Sequence, residues 1–539
     1  MVMSRRSQAM TRQRMGALTV TTAFVIGASG CDGLWYHIQD DCELMLTCEH
    51  FRPTTSTSSG WPAGGCVPSE SVEGVSDACG VFVAASGDDR RIGTKAEPVK
   101  TLSKAIARAA EKGTAVYACA EEFAEAIEVP AGVTLFGGLD CANGWRWIGE
   151  EKKTTVAPGA DAIPLKLMRG EGAVRIEDVS ARAADAQAAG GSSIAVLVDG
   201  ATAELARCEL VAGNGADGPD GEDAPSEAAI QGPRGVDGAN ACSDLDTSGA
   251  PDETLPGGAQ VENACEGDTL SIGGEGGDGK VSNGGGGDAG QIGIEGQGGA
   301  GEPASTTSMW NCGAIPNDPN KGGGSAGSNG TAGEPGVGAS GIGTLSASGY
   351  AGVSGGAGSA GKPGQGGGGG GGAKGGLVCA GGMAGAGASG GSGGAGGCGG
   401  LPGQGGGAGG ASIALVSVEG QVTLTDCSLK AGSGGKGGAG GDLQPGGAGG
   451  VGGLGGMGVG GSRNACDGGR GGQGGNGGPG GGGLGGPSLA IAFRGELVKQ
   501  EGKTTLTPGA PGAGGLGGSN NVASNAGADG VTAAEQELP

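Results

Sequence analysis

The chain is short of the side chains that fill an ordinary core. Aromatic residues make up 3% of its 539 positions, which excludes one conventional core running its whole length. Histidine occurs only at His37 and His50. That leaves the long remainder without a Ser-His-Asp triad, and the two are not spaced as zinc-finger ligands. Positive charge is scarce, with 32 Lys and Arg against 56 Asp and Glu and a net charge of −24. Such a chain repels phosphate and anionic head groups, so nucleic acid is not an expected partner. Long apolar runs are also missing. The run near the N-terminus, "MGALTVTTAFVIGA", is shorter than the roughly 20 residues that span a bilayer. Proline, at 24 residues, is too sparse for collagen. What is abundant is glycine, 137 residues, several times its ordinary share of roughly 7%.

The first thirty residues hold no Asp or Glu, and Arg5, Arg6, Arg12 and Arg14 precede the apolar run. This order of charge and hydrophobicity predicts a secretory signal over 1–30. The run ends in "ASGC" at Cys31, and small residues directly before a cysteine resemble the bacterial lipobox. The resemblance implies a diacylglycerol on the Cys31 thiol, cleavage before Cys31 and acylation of the new amine. The expected partner is then a membrane, through the lipid anchor. The expected location is the bacterial cell envelope, at the outer membrane or the cell surface. Of 15 cysteines, Cys31 leaves fourteen disulfide candidates for an oxidising compartment. They are Cys42, Cys48, Cys66, Cys79, Cys119, Cys141, Cys208, Cys242, Cys265, Cys312, Cys379, Cys398, Cys427 and Cys466, with their pairing open. Residues 31–79 read as a cysteine-stapled stalk without metal-ligand spacing.

From Gly80 the pattern changes to short apolar strands with turns between them. One amphipathic helix, "TLSKAIARAAEKG", ends on Gly113. A doubly wound sheet needs a helix at every crossover, so this is not one. Three segments repeat. "GGSSIAVLVDGATAELARCELVAGNG" starts at Gly190, and "GGASIALVSVEGQVTLTDCSLKAGSG" starts at Gly409 and aligns without a gap down to Cys208 and Cys427. A third, from Gly485, is shifted and lacks the cysteine. One such repeat cannot bury its own apolar face, but stacked repeats can.

The segment 80–212 is similar to the entry part of bacterial secreted right-handed parallel β-helix proteins, the pectate-lyase-like group. The similarity lies in Gly87 to Thr94, Pro98 to Leu102 and "VYACAEEFAEAIEV". It implies an all-β, right-handed parallel β-helix solenoid with one N-terminal helix. It does not imply a chemistry, because that fold carries many. Rungs are expected in 80–212, 409–435 and 485–508. Glycine-rich inserts fill 213–408 and 436–484, and a flexible glycine-rich tail follows over 509–539. "GGRGGQGGNGGPGGGG" has a period of three, the repeat of polyproline II. The inserts therefore read either as packed polyproline II-like segments or as disordered loop; their six cysteines favour order. In composition and triplet period they resemble the glycine-rich tracts of PE-PGRS surface proteins.

Few residues suggest chemistry. Glu177, Asp178, Asp185 and Asp199 read as solvated loop residues, not a lyase cluster. Asp217, Asp220 and Asp223 in "NGADGPDGED" form a weak calcium candidate, with an acidic loop as the plainer reading. Trp145 and Trp147 read as caps of a turn, with sugar stacking as the alternative. No catalytic residue and no cofactor is expected. The expected role is structural, adhesive or interactive, toward a surface or matrix polysaccharide or protein. The alternative is carbohydrate binding, or a polysaccharide lyase or hydrolase, on the β-helix.

Overall fold

The alternation of apolar and polar residues in the repeats builds three long parallel sheets. The computed structural model describes residues 65–539, apart from 72, 73, 246–248, 268, 292, 306, 308 and 522. The signal segment, Cys31, Cys42, Cys48 and most of the expected stalk lie outside the described residues. The first sheet runs through Gly80–Val83, Ala115–Cys119, Thr134–Asp140, Val174–Glu177, Thr202–Ala206, Gln421–Thr425 and Lys499–Glu501, with Arg146–Trp147 added antiparallel. The second runs through Glu122–Phe123, Thr154–Val156, Val179–Arg182, Glu209–Val211, Ser428–Lys430 and Thr505–Thr507. The third runs through Ile127–Val129, Leu165–Met168, Ser193–Asp199, Ser412–Val418, Ser488–Arg494 and Thr532–Glu537. From Val174 onward the chain visits the first, second and third sheet in rotation. The fold is thus predominantly β, as the sequence implies.

Inward rows stack like on like. Ile176, Leu205 and Leu424 are buried in the first sheet, Ala181, Leu210 and Leu429 in the second, and Val196, Leu415 and Ile491 in the third. Each fully buried Leu, Ile or Val contributes about 1.5–3 kcal/mol. The corner from the first to the second sheet needs a left-handed residue on successive rungs. Asp178 (φ 57°), Arg207 (φ 50°), Asp426 (φ 52°) and Gly502 (φ 62°) supply it. Asp tolerates this conformation through its short polar side chain.

Helix α1, Leu102–Lys112, starts at Thr101, whose hydroxyl accepts from the Lys104 N–H, and stops at Gly113 (φ 64°). Its buried face, Leu102, Ala105, Ile106 and Ala109, packs against the first strands of the first and third sheets. The scarce aromatics gather on the opposite face of the first sheet's leading strands. Phe82 stacks on Tyr117 and meets Trp145 edge-on, both at 5.0 Å, and Tyr117 stacks on Phe136 at 5.4 Å. Val67, Val75 and the Cys66–Cys79 disulfide join this cluster, and Tyr117 donates to the Cys66 carbonyl at 2.7 Å. The described end of the expected stalk therefore belongs to the body.

All the glycine-rich stretches leave the second sheet and return to the third. Among the described residues they are not disordered loop; apart from four short antiparallel strand pairs and the helical turns Ala380–Gly382, Gly518–Asn521 and Ala523–Asn525, they share one construction. They are extended segments joined by backbone hydrogen bonds at every third residue. In 465–487, Gly471, Gly474, Gly477, Gly480 and Gly483 donate to Gly450, Gly447, Gln444, Gly441 and Gly438 at 2.8–2.9 Å. Gly469, Gly472, Gly475, Gly478 and Gly481 donate to a different segment, at Gly368, Gln365, Lys362, Ser359 and Gly356. A third segment donates from Gly327, Gly330 and Gly333 to the carbonyls of Arg470, Gln473 and Asn476. Segments approach so closely that a Cβ on Gly474 would lie 1.9 Å from the Cys398 carbonyl oxygen, and one on Gly475 2.0 Å from that of Thr331. Their Cα–H groups thus face carbonyls. Gln473 and Asn476, at the third position, face outward. The disulfides Cys242–Cys379, Cys265–Cys398 and Cys312–Cys466 cross-link different segments of the array.

The expected flexible tail is corrected on the same ground. Ala510, Ala513 and Leu516 accept from Gly434, Gly437 and Gly440, and Thr532–Glu537 completes the third sheet. Residues 509–531 are a third glycine-rich stretch.

The close approach gives a direct test. Gly478→Ala puts a methyl 1.9 Å from the Glu334 carbonyl oxygen, whereas Gly159 has open space around it. Urea melts should show Gly478→Ala destabilised by about 1–3 kcal/mol, the usual cost of overpacking, and Gly159→Ala unchanged within about 0.5 kcal/mol.

Candidate functional site

The outward row of the second sheet is polar. Glu122, Thr155, Ser180, Glu209 and Ser428 lie side by side on successive strands. The loop after Arg146–Trp147 brings Glu150, Glu151, Lys152 and Lys153 over one side of this row, enclosing an open cleft of about 620 Å³. Ser180 Oγ and Arg182 Nη2 each donate to Glu209 Oε2 at 2.9 Å, and Arg182 Nε donates to Ser180 Oγ at 3.0 Å. Partial burial pushes the Glu209 carboxyl up, but the Ser180 and Arg182 hydrogen bonds outweigh it and hold it below its ordinary 4.5. Hydroxyls, carboxylates and cations alternate along the cleft, so it can hydrogen-bond a polar chain lying across the strands.

A second charged group sits at the corner behind the cleft. Glu177 and Asp178 are only 1% and 2% exposed. Arg207 Nη2 donates to Glu177 Oε2 at 2.7 Å and Asp178 Oδ2 at 2.9 Å, and its Nε donates to Asp178 Oδ1 at 3.0 Å. Arg175 also pairs with Glu177. Trp147 Nε1 donates to Asp178 Oδ2 at 2.8 Å, and its ring lies 5.5 Å from the Arg207 guanidinium, within cation–π range. Burial alone lowers the Arg207 pKa, yet the two carboxylates raise it overall. The reading of these acids as solvated is therefore corrected for Glu177 and Asp178. It is also corrected for Asp199, which pairs with Arg169 at 2.6 Å. Asp185 is exposed and accepts from the Asn214 N–H at 2.6 Å. Trp145 is buried in the aromatic cluster and offers no ring face to a sugar.

Asp217, Asp220 and Asp223 do not converge. Their Oδ1 atoms accept from the backbone N–H groups of Lys436, Ala439 and Asp442, each at 2.7 Å. Asn214, Asp237 and Asn240 do the same for Ser433, Leu454 and Met457. The row caps the outward N–H groups of the neighbouring segment, those the array leaves over. This replaces the calcium candidate, and among the described residues no group of three or more His, Cys, Asp or Glu could hold a metal ion.

Ten of the twelve described cysteines are paired: Cys66–Cys79, Cys119–Cys141 and the three in the array. Cys208 and Cys427 are free and buried, which corrects their candidacy for disulfides. They occupy the same position on neighbouring rungs, where their side chains point in parallel into the core. The repeat alignment sets the two cysteines at one position, but counting cysteines missed that they stay unpaired, and sequence reasoning missed the Arg207 and Trp147 roles.

No protein family, no curated protein and no solved structure matches this chain. The likeness to β-helix proteins therefore rests on the arrangement of strands.

The charged corner and the cleft make separable predictions. Arg207→Ala leaves buried Asp178 with no cationic partner and Glu177 with Arg175 alone, and should cost about 3 kcal/mol. Arg234→Ala, which breaks the exposed pair with Asp237, should cost under about 1 kcal/mol in the same denaturant melts. Glu209 has a depressed folded pKa, so its contribution is present above the unfolded pKa and fades as pH falls through the folded one. Wild type should exceed Glu209→Gln in stability at pH 6, and the gap should close on titration well below pH 4.5. A gap that widens with acid would overturn the assignment.

Proposed function

We propose that the three sheets wind as a right-handed parallel β-helix solenoid carrying a bundle of polyproline II segments. The protein is an exported, lipid-anchored envelope protein whose role is to present this bundle to a partner, without catalysis of its own. One observation carries the reading. Backbone groups of the glycine array are satisfied internally, and side chains emerge at every third residue at a fixed pitch of about 9 Å. Val451, Leu454 and Met457 project from one segment, 50%, 56% and 62% exposed. Arg470, Gln473 and Asn476 project from the adjoining one. Neighbouring rows thus form a stiff, regular face suited to recognition. Five disulfides fit an oxidising compartment, and the Cys31 anchor supplies the attachment. A second reading, binding of a polysaccharide, is favoured by the row of hydroxyls and carboxylates in the cleft.

The test is shaving of intact cells with a broad-specificity protease, followed by mass spectrometry, on wild type and Cys31→Ala. Peptides from 213–408 should leave wild-type cells, and the variant should accumulate in the medium. Release only after the outer envelope is breached sinks surface presentation.

A further inference from the structure

Cys208 and Cys427 each follow the left-handed corner residue of their rung, Arg207 and Asp426. The register Ser180↔Glu209↔Ser428↔Thr505 sets Val179, Cys208, Cys427 and Thr504 in one column. The backbone N–H of Cys208 donates to Cys427 Sγ at 3.4 Å. The Cys208 thiol also faces the carbonyls of Ile176 and Ala206 at 3.5 and 3.4 Å, and that of Cys427 faces Leu205 and Thr425 at 3.3 and 3.4 Å. The two sulfurs thus stack one rung apart, each leaning toward the preceding rung. The column supplies an aliphatic side chain below them and a hydroxyl above, and no third strong ligand. Cys208 is also one of the residues that line the cleft.

We propose that Cys208 and Cys427 form a two-thiolate site for a soft monovalent cation, with copper(I) as its natural ligand class. Two sulfurs without further donors suit copper(I), whereas zinc requires four ligands. The balance is simple. Two thiol protons leave as one copper(I) enters, two sulfur–copper bonds form, and nothing is oxidised or reduced. The site gains one negative charge, and Lys152 and Lys153 lie in the wall of the adjoining cleft.

The experiment uses the purified full chain, titrated anaerobically with copper(I) against a colorimetric copper(I) chelator. The variants are Cys208→Val and Cys427→Thr, which copy the residues one rung away in the same column and so preserve packing. Circular dichroism melts check that they fold. Wild type should retain one copper(I) per chain, with each variant at least 100-fold weaker. A Cys42→Ser/Cys48→Ser control should match wild type. The proposal is overturned if folded Cys208→Val and Cys427→Thr retain copper(I) as wild type does. It is equally overturned if wild type retains none, or if non-reducing peptide maps find Cys208 and Cys427 joined in the protein as isolated.

Discussion

Everything in this structure depends on backbone hydrogen bonds formed between chain segments that are far apart in sequence. In the sheets they join each rung to the next, as where Ile194 pairs with Ile413 and Ile413 with Leu489. In the glycine array they continue from the same stack. Gly215 donates to Ser433, and Gly434 to Ala510, so the array begins in step with the rungs beneath it. Helices satisfy their backbone within themselves. This chain instead leaves nearly every polar backbone group to a neighbouring segment, which is why so small a complement of large apolar side chains suffices.

The side chains then answer what that scheme leaves over. Inward rows of Leu, Ile and Val close the interior between the sheets. Where a corner forces a left-handed backbone, Asp178 and Arg207 occupy it and pair with one another across the rungs. In the array, two neighbouring segments use the N–H groups of the glycines, and a row of Asp and Asn side chains takes the remaining outward ones. Charge is thus mostly local repair of the backbone. That suits a strongly acidic chain, because each such carboxylate faces a donor that would otherwise be bare.

How much of this was legible follows from the same division. The repeat from Gly190 to Gly409 aligned correctly because its inward rows are apolar and alternate, and the register of Cys208 on Cys427 was visible in it. Helix α1 was legible from its Thr start and Gly stop. The strand Thr532–Glu537 was not, since "TAAEQE" has no apolar alternation and joins the sheet through its backbone. The acidic residues were misread because burial of Glu177 depends on Arg207 from the next rung, thirty residues away. The even count of cysteines suggested full pairing, yet two of them stack in parallel instead of facing each other. The capping role of Asp217, Asp220 and Asp223 was hidden in their triplet spacing, which read equally well as an acidic loop.

The triplet architecture of the array also separates two kinds of information along one chain. Two positions in three are held to glycine by the nearness of carbonyl oxygens, whereas the third is free of the interior. Replacing Arg470 or Gln473 rewrites the face without touching what lies beneath. Adding residues in threes lengthens a row and keeps every contact beyond it, but adding one or two displaces them all. Such a surface can diversify quickly under selection, by substitution at the third position and by whole-triplet gain or loss, while the scaffold that carries it stays fixed.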